Sequence, residues 1–338
     1  MSYRIASFNV KNLSGASGRD LDRIAAIIND NEIDIVAMQE VLGEGKILTG
    51  IGLNSVSGQA KAYEKSLQRR LRGNWRICWC DPKTNAKNYP YLGEDSRGEG
   101  YAFLWNADKF ELPLDKKGKE ILPRIWRNYR ASKSSELVRL IRDPCVGRFK
   151  VKNLRAEIRL ITTHIVFGKP SVDKLAVDVD YGATQLRLNE FKILAGDIYP
   201  RVSDYCKDVH YNASYTILLG DYNLNLNSSG VGKNLLPDIV WFDEQGNMVS
   251  VPSKLSRCML TKQAELTTLK QVEPGYANNY DHFSFDETVQ RKIITSVFRI
   301  DAVHQNVKVG DQSEEEKFNT YRKEVSDHVP VVVEIDFR

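Results

Sequence analysis

The sequence of 338 residues predicts a layered α/β (α+β) fold. Strand-length apolar or alternating runs recur from end to end, and helical spacings are set among them without a regular βαβ rhythm. The apolar runs also end repeatedly on a polar residue. At 42% hydrophobic and 27% charged, the chain has an ordinary globular composition and is long enough for a sizeable core.

Residues 3–10, YRIASFNV, form a first strand that reaches Asn9. A Gly/Ser/Asn-rich loop over 12–18 leads into a helix over 20–30, where Leu21, Ile24, Ala25, Ile27 and Ile28 share one face. Residues 33–38 make a second strand that ends on Gln39 and Glu40. Small residues over 43–58 read as a loop, 60–72 as a basic helix, and 75–80 as a strand whose Cys78 and Cys80 point the same way. After a turn-rich stretch over 82–100, residues 101–105 form a strand preceded by Glu99. Further strands at 148–151 and 156–164 follow, the latter delivering His164. Residues 167–181 read as a loop, and 184–198 as an amphipathic helix that Pro200 should end.

The stretch 217–223, ILLGDYN, combines a buried run with Gly220, where the backbone can turn closely, and with Asp221 and Asn223 two residues apart. In an extended segment that spacing points both side chains to one side. Gly, Asp and Asn are equally the residues of a simple turn. Residues 225–279 form a loop-rich insertion with one strand expected at 264–269. Strands at 279–285, 293–303 and 329–335 complete the chain, and Pro330 places the last at an edge or at its own first residues. No internal repeat is present.

Five scattered cysteines lack metal-binding spacing, and no apolar stretch approaches the roughly 18 residues of a membrane span. With no secretory pattern at Met1, a cytoplasmic location is expected. The net charge is only +4, but residues 121–155 hold ten basic and two acidic side chains, and Lys61, Lys65, Arg69, Arg70, Arg72 and Arg76 are opposed by Glu64 alone. Interleaved with Trp75, Trp126 and Tyr129, these runs suit a polyanion bound through phosphate contacts and base stacking. A solvated helix face is the competing reading.

Asn9, Glu40, Glu99, His164, Asp221, Asn223, Asp281, Asp327 and His328 all stand at ends of apolar runs. Strand ends on one rim are spatial neighbours, so these residues can form one site. Hard oxygen ligands and imidazoles without thiolates favour Mg²⁺, or Mn²⁺, over zinc.

The ordered series Phe8-Asn9, Gln39-Glu40, E-x-Y-x-F from Glu99, His164, G-D-Y-N from Gly220, Tyr280-Asp281 and Ser326-Asp327-His328 resembles the endonuclease/exonuclease/phosphatase superfamily. The series spans residues 3–336, so the resemblance implies one catalytic domain over 1–338, with basic insertions near 59–76 and 121–155 and the loop-rich one near 225–279. It also implies a four-layer sandwich of two packed, mainly antiparallel β-sheets flanked by helices. By resemblance, Glu40 is the principal metal ligand, with Asn9 and Asp327 nearby. Asp281 would orient His328, Glu99 would pair with His164, and Asp221 and Asn223 would position the attacking water and a phosphate oxygen. Tyr222 stands where the family often has Phe. Leu42 replaces an arginine of the deoxyribonuclease I branch, while Arg142-Asp143-Pro144 is similar to that branch's DNA-backbone-contacting R-E-P. Arg142, and Arg148 of the basic segment over 121–155, are the candidate substrate contacts.

The function expected is a Mg²⁺-dependent DNA nuclease using in-line attack of an activated water, which needs charge neutralisation and proton transfer at the phosphate. The alternatives are a phosphatase or phosphodiesterase acting on inositol phosphates or phospholipid headgroups, and a nucleic-acid-binding module that has lost turnover. Which histidine is base and which acid stays open, because a neighbouring carboxylate raises either pKa.

Overall fold

The computed structural model describes residues 2–13, 18–42, 66–80, 99–127, 140, 142–165, 187, 190–204, 213–225, 238–242, 248–252, 257–259, 265–305 and 312–337, with backbone only for Leu42, Glu99 and the segments between 238 and 259. Two mixed, mainly antiparallel sheets dominate. The first runs β14-β15-β1-β2-β4-β3, where β1 is Ser2–Leu13, β2 Ile35–Leu42, β3 Trp75–Cys80, β4 Glu99–Asn106, β14 Ile294–Arg299 and β15 Val331–Asp336. The second runs β12-β13-β9-β8-β7-β5, with β6 also on β7. Its strands are β5 Phe110–Glu111, β6 Arg124–Ile125, β7 Cys145–Val151, β8 Ala156–His164, β9 Ala213–Asp221, β12 Arg257–Met259 and β13 Asp281–Phe285. A separate pair joins β10 (Asp238–Phe242) to β11 (Met248–Pro252).

Each sheet has one parallel pair near its middle, β1 with β2 and β8 with β9, and antiparallel neighbours outside it. That arrangement decides which chain ends share a rim. The C-terminal ends of β1, β2, β8 and β9 lie together with the N-terminal ends of β4, β13 and β15.

Side-chain alternation sorts the core into three parts. Ile5, Ile35, Ala37, Phe103, Trp105, Ile158, Leu160, Ile217, Leu219, Phe283 and Val333 pack between the two sheets. The opposite faces of β1 and β2 pack on α1 (Leu21–Asp30) and α5 (Glu314–Glu324) through Ala6, Phe8, Met38, Ile24, Ile28, Phe318 and Tyr321. Ile161, Leu218 and Tyr222 pack on the helical segment around Phe191, Leu194 and Ile198. Helices, sheet, sheet and helices make the expected four layers. Phe103 and Phe149 meet edge-on at 5.5 Å across the central layer, a contact worth about 1 kcal/mol beyond its buried area.

Several elements depart from expectation. Pro200 does not end the helix. The segment Leu194–Ile198 widens to π geometry, with Tyr199 N–H bonding to Leu194 C=O, and the chain continues as α2, Tyr199–Asp204. A proline removes the usual bond four residues back, and the wider turn absorbs that loss. The strand expected over 293–303 is β14 flanked by α3 (Glu287–Ile293) and α4 (Ala302–Gln305). Pro330 lies outside β15, which is an interior strand between β14 and β1. The segments named as insertions contribute strands: β6 and β7 fall within 121–155, and β10 to β12 within 225–279. Residues 60–65 of the expected basic helix, and the loops over 43–58 and 167–181, lie outside the described residues, and only 66–68 of the remainder are helical.

Candidate active site

The polar rim is a continuation of the inter-sheet face. Asn9 follows Ile5 at even spacing along β1, His164 follows Ile158 and Leu160 on β8, and Asp221 follows Ile217 and Leu219 on β9. Asp281 opens β13 on the face that buries Phe283 and Phe285. Beneath these groups lies a hydrogen-bonded layer in which Gln39 Nε2 donates to Thr162 Oγ1 (2.8 Å) and Ser7 Oγ (3.2 Å). The core thus becomes polar one step before the rim.

Glu40 would point away from this layer by simple alternation. Its φ of 56°, beside register shifts in both the β1–β2 and β2–β4 ladders, turns it back toward Asn9. Gly220 has φ 142°, and a Cβ there would lie 2.0 Å from the Thr163 carbonyl oxygen, so only glycine lets β9 approach β8 this closely.

These devices bring Asn9, Glu40, His164, Asp221, Asp281, Asp327 and His328 together. Asn9 Nδ2 donates to Glu40 Oε1 and to Asp221 Oδ2, both at 3.0 Å. Asp221 Oδ2 lies 3.6 Å from Nε2 of both His164 and His328, and its Oδ1 accepts the Asn223 N–H at 2.8 Å. His328 Nδ1 bonds Asp281 Oδ2 at 2.8 Å. Burial raises the pKa of Asp221 and outweighs the lowering by His328 and His164. Burial alone would lower His328, but the charges of Asp281 and Asp221 hold it well above the usual imidazole value. Burial also pushes Asp327 up, yet His328 and Lys11 bring it below the ordinary carboxylate range.

Other expected residues arrive differently. Asn223 is not part of an extended segment; with φ 49° it turns after β9, and its amide donates to the Ile165 carbonyl at 2.7 Å. G-D-Y-N is therefore a strand end that carries a buried carboxylate, followed by a turn. Asn9 meets Glu40 through its amide nitrogen, while its oxygen accepts the Lys11 N–H at 3.0 Å. It spaces two carboxylates rather than presenting an oxygen between them. Glu99 opens β4 at this rim, but its side chain lies outside the described residues, as does the proposed pairing with His164.

Arg142 reaches the His164 carbonyl at 3.5 Å and so borders the rim. Arg148 does not: it sits mid-strand opposite Arg159 and forks onto buried Glu157 at 2.7 and 2.8 Å. Its place as a substrate contact is corrected to a structural ion pair. Trp75 and Trp126 are core residues, so neither offers a face for base stacking, and Tyr129 is outside the described residues. Arg70, Arg72 and Arg76 pair with Asp22, Asp30 and Glu120, and Lys150 pairs with Glu111, which favours the solvated-face reading of the basic runs.

Sequence reasoning missed Lys11 and Thr267. Lys11 Nζ lies 2.5 Å from Asp327, aimed there by a left-handed backbone that no local motif announces. Thr267 Oγ1 accepts the N–H groups of Tyr280 and Asp281. Tyr101, inside the E-x-Y-x-F motif, accepts the His164 N–H at 3.2 Å through its hydroxyl.

The donor set fits a hard divalent cation. Glu40 and Asp327 are the rim carboxylates with solvent access, 15% and 30% exposed, and Asp281 Oδ1 is buried without a hydrogen-bond partner. Asp221, Asp281 and His328 also present ligand atoms within 4.8 Å of one another. No thiol stands among these donors, in keeping with Mg²⁺ or Mn²⁺ chemistry. Among the described residues no helix is long and apolar enough to cross a membrane.

Neither a protein-family model nor a curated protein sequence matches the chain. Solved structures do resemble it. An endonuclease/exonuclease/phosphatase family protein from Bacteroides thetaiotaomicron, 15% identical, superposes with TM-score 0.56 over 100% of this chain and 96% of that one. ANGEL2, a 2′,3′-cyclic phosphatase solved with adenosine-2′,3′-vanadate, is 14% identical with TM-score 0.54, covering 99% and 95%. A functionally unknown conserved protein from Enterococcus faecalis is 13% identical with TM-score 0.52, covering 99% and 100%. The two sheets, their central parallel pairs and the outer helices thus make up the fold of the endonuclease/exonuclease/phosphatase proteins.

Proposed function

We propose that the protein is a metal-dependent phosphodiester hydrolase that cleaves DNA. The observation that carries this reading is Asp221, buried and 3.6 Å from two imidazoles, one of which is bonded to Asp281 at 2.8 Å. Its raised pKa suits Asp221 to take the proton of an attacking water, with the Asn223 N–H fixing its orientation. His328, held as imidazolium by Asp281, is then the donor to the departing alkoxide. As the water oxygen bonds to phosphorus and the bond to the alkoxide oxygen breaks, one proton goes to Asp221 and one leaves His328. His164 and Arg142 face the phosphoryl oxygens. Glu40 would hold Mg²⁺ or Mn²⁺; when bound, the ion supplies neutralisation of phosphoryl charge.

A second reading, hydrolysis of a smaller phosphoester such as an inositol phosphate or a phospholipid headgroup, is favoured by the ion-paired basic runs and buried tryptophans. Incubation with supercoiled plasmid, with Mg²⁺ or with EDTA, separates the two. Nicking that requires the metal is expected, and His328→Ala should slow it by about a hundredfold or more. Phosphate release from an inositol polyphosphate without any nicking would overturn the nuclease reading.

A further inference from the structure

Lys11 and Asn12 form a two-residue bulge at the end of β1, with φ 41° and 56°, where the β1–β2 register shifts. The bulge addresses both carboxylates expected to hold a metal. The Asn12 N–H donates to Glu40 Oε2 at 3.2 Å, while Lys11 Nζ lies 2.5 Å from Asp327 Oδ2. Lys11 is a held residue. Its N–H bonds Asn9 Oδ1 at 3.0 Å, and its C=O accepts from Arg19 at 3.0 and 2.7 Å. Arg19 in turn binds the carbonyls of Arg322 and Lys323 at 3.0 and 2.8 Å, tying the bulge to the end of α5.

We infer that the Lys11 ammonium serves as a built-in second cation, so that Asp327 is not a metal ligand and the site takes one divalent ion, held by Glu40. Four carboxylates converge here: Glu40, Asp221, Asp281 and Asp327. A substrate phosphate adds more negative charge, and two divalent ions are the usual means of neutralising such a site. One ion at Glu40 and a fixed ammonium at Asp327, beside the His328 imidazolium, offset most of that charge with a single metal. The ammonium cannot dissociate, and its three N–H donors can meet a phosphoryl oxygen as well as Asp327. The inference rests on reading the site as a metal-dependent phosphodiester hydrolase.

The test is Mn²⁺ titration of the full chain followed by electron paramagnetic resonance, with circular dichroism confirming that each variant is folded. The wild type should bind one equivalent, Asp327→Asn one equivalent within about twofold of wild-type affinity, and Lys11→Gln two, because Asp327 is then released. Lys11→Arg, which keeps the charge, should return to one. Two equivalents in the wild type, a more than tenfold loss of affinity in Asp327→Asn, or a single equivalent in Lys11→Gln would overturn the inference. Failure of the underlying reading looks different. A wild type that binds no Mn²⁺, or a Glu40→Gln variant that binds like wild type, removes the metal site itself and this inference with it. An uncut plasmid beside the expected stoichiometries defeats only the nuclease reading.

Discussion

Replacing Asp281 by Asn keeps the shape of the His328 contact and removes its charge. The bond at 2.8 Å is buried on both sides, so the carboxylate acts on the imidazolium with little solvent screening. A hydrogen bond to a charged group contributes about 1.5–3 kcal/mol, which corresponds to ~1–2 pH units of imidazole pKa. Asp221 at 3.6 Å remains, so part of the upward shift should survive. The sign follows from linkage: the folded-state pKa of His328 exceeds 6.5, so its stabilising contribution is complete below pH 6.5 and is lost as pH rises through the folded value. In Asp281→Asn that loss should begin at lower pH. Heteronuclear NMR of the metal-free protein reads the imidazole titration directly, and the chain's five histidines are assigned by single substitutions. A His328 pKa that moves down by less than about half a unit would refute the account of Asp281 as its principal charge partner.

Gly220→Ala places a methyl group 2.0 Å from the Thr163 carbonyl and should destabilise the fold by about 3 kcal/mol or more, measured as a lowered urea midpoint. Glu157→Gln leaves Arg148 and Arg159 facing each other without their shared carboxylate and should cost about 3–5 kcal/mol, while the KM of the folded fraction for DNA stays unchanged. His304 joins Asp301 and Glu314 at 2.8 Å; the Glu314 bond chiefly raises its pKa, so its contribution is complete below 6.5 and fades as pH rises through the folded value. The difference in melting temperature between wild type and His304→Gln should therefore narrow from pH 6 to pH 9.

The strands were legible where alternation and chain chemistry agree, as over residues 75–80 and 156–164, which match β3 and β8. Charge was less informative. Arg148 looks like an anion contact in sequence because Glu157, its partner, is nine residues away and becomes adjacent only through strand pairing. The tryptophans illustrate the same limit, since Trp75 and Trp126 interrupt basic runs yet serve the core. Helix α5 carried a readable signal that spacing of apolar residues did not supply: Ser313 and Glu316 form a reciprocal cap. Of the site, the residues whose position follows from strand parity were foreseeable, among them His164 and Asp221. Lys11 and the aim of Glu40 were not, because both depend on left-handed residues that only the packed ladder enforces.

The Asn9 bonds to Glu40 and Asp221 have a mechanical consequence. Asn9 and Glu40 belong to one sheet and Asp221 to the other, so a single amide nitrogen gauges how far the sheets have slid past each other. One residue of slippage along a strand is about 3.3 Å, as long as the bond itself. Any conformer sheared by one step would keep every backbone ladder within its sheets and still break apart the polar cluster at the rim. Loss of activity on heating or under pressure should therefore precede loss of β-sheet signal, with the rim failing as a latch before either leaf of the sandwich unravels.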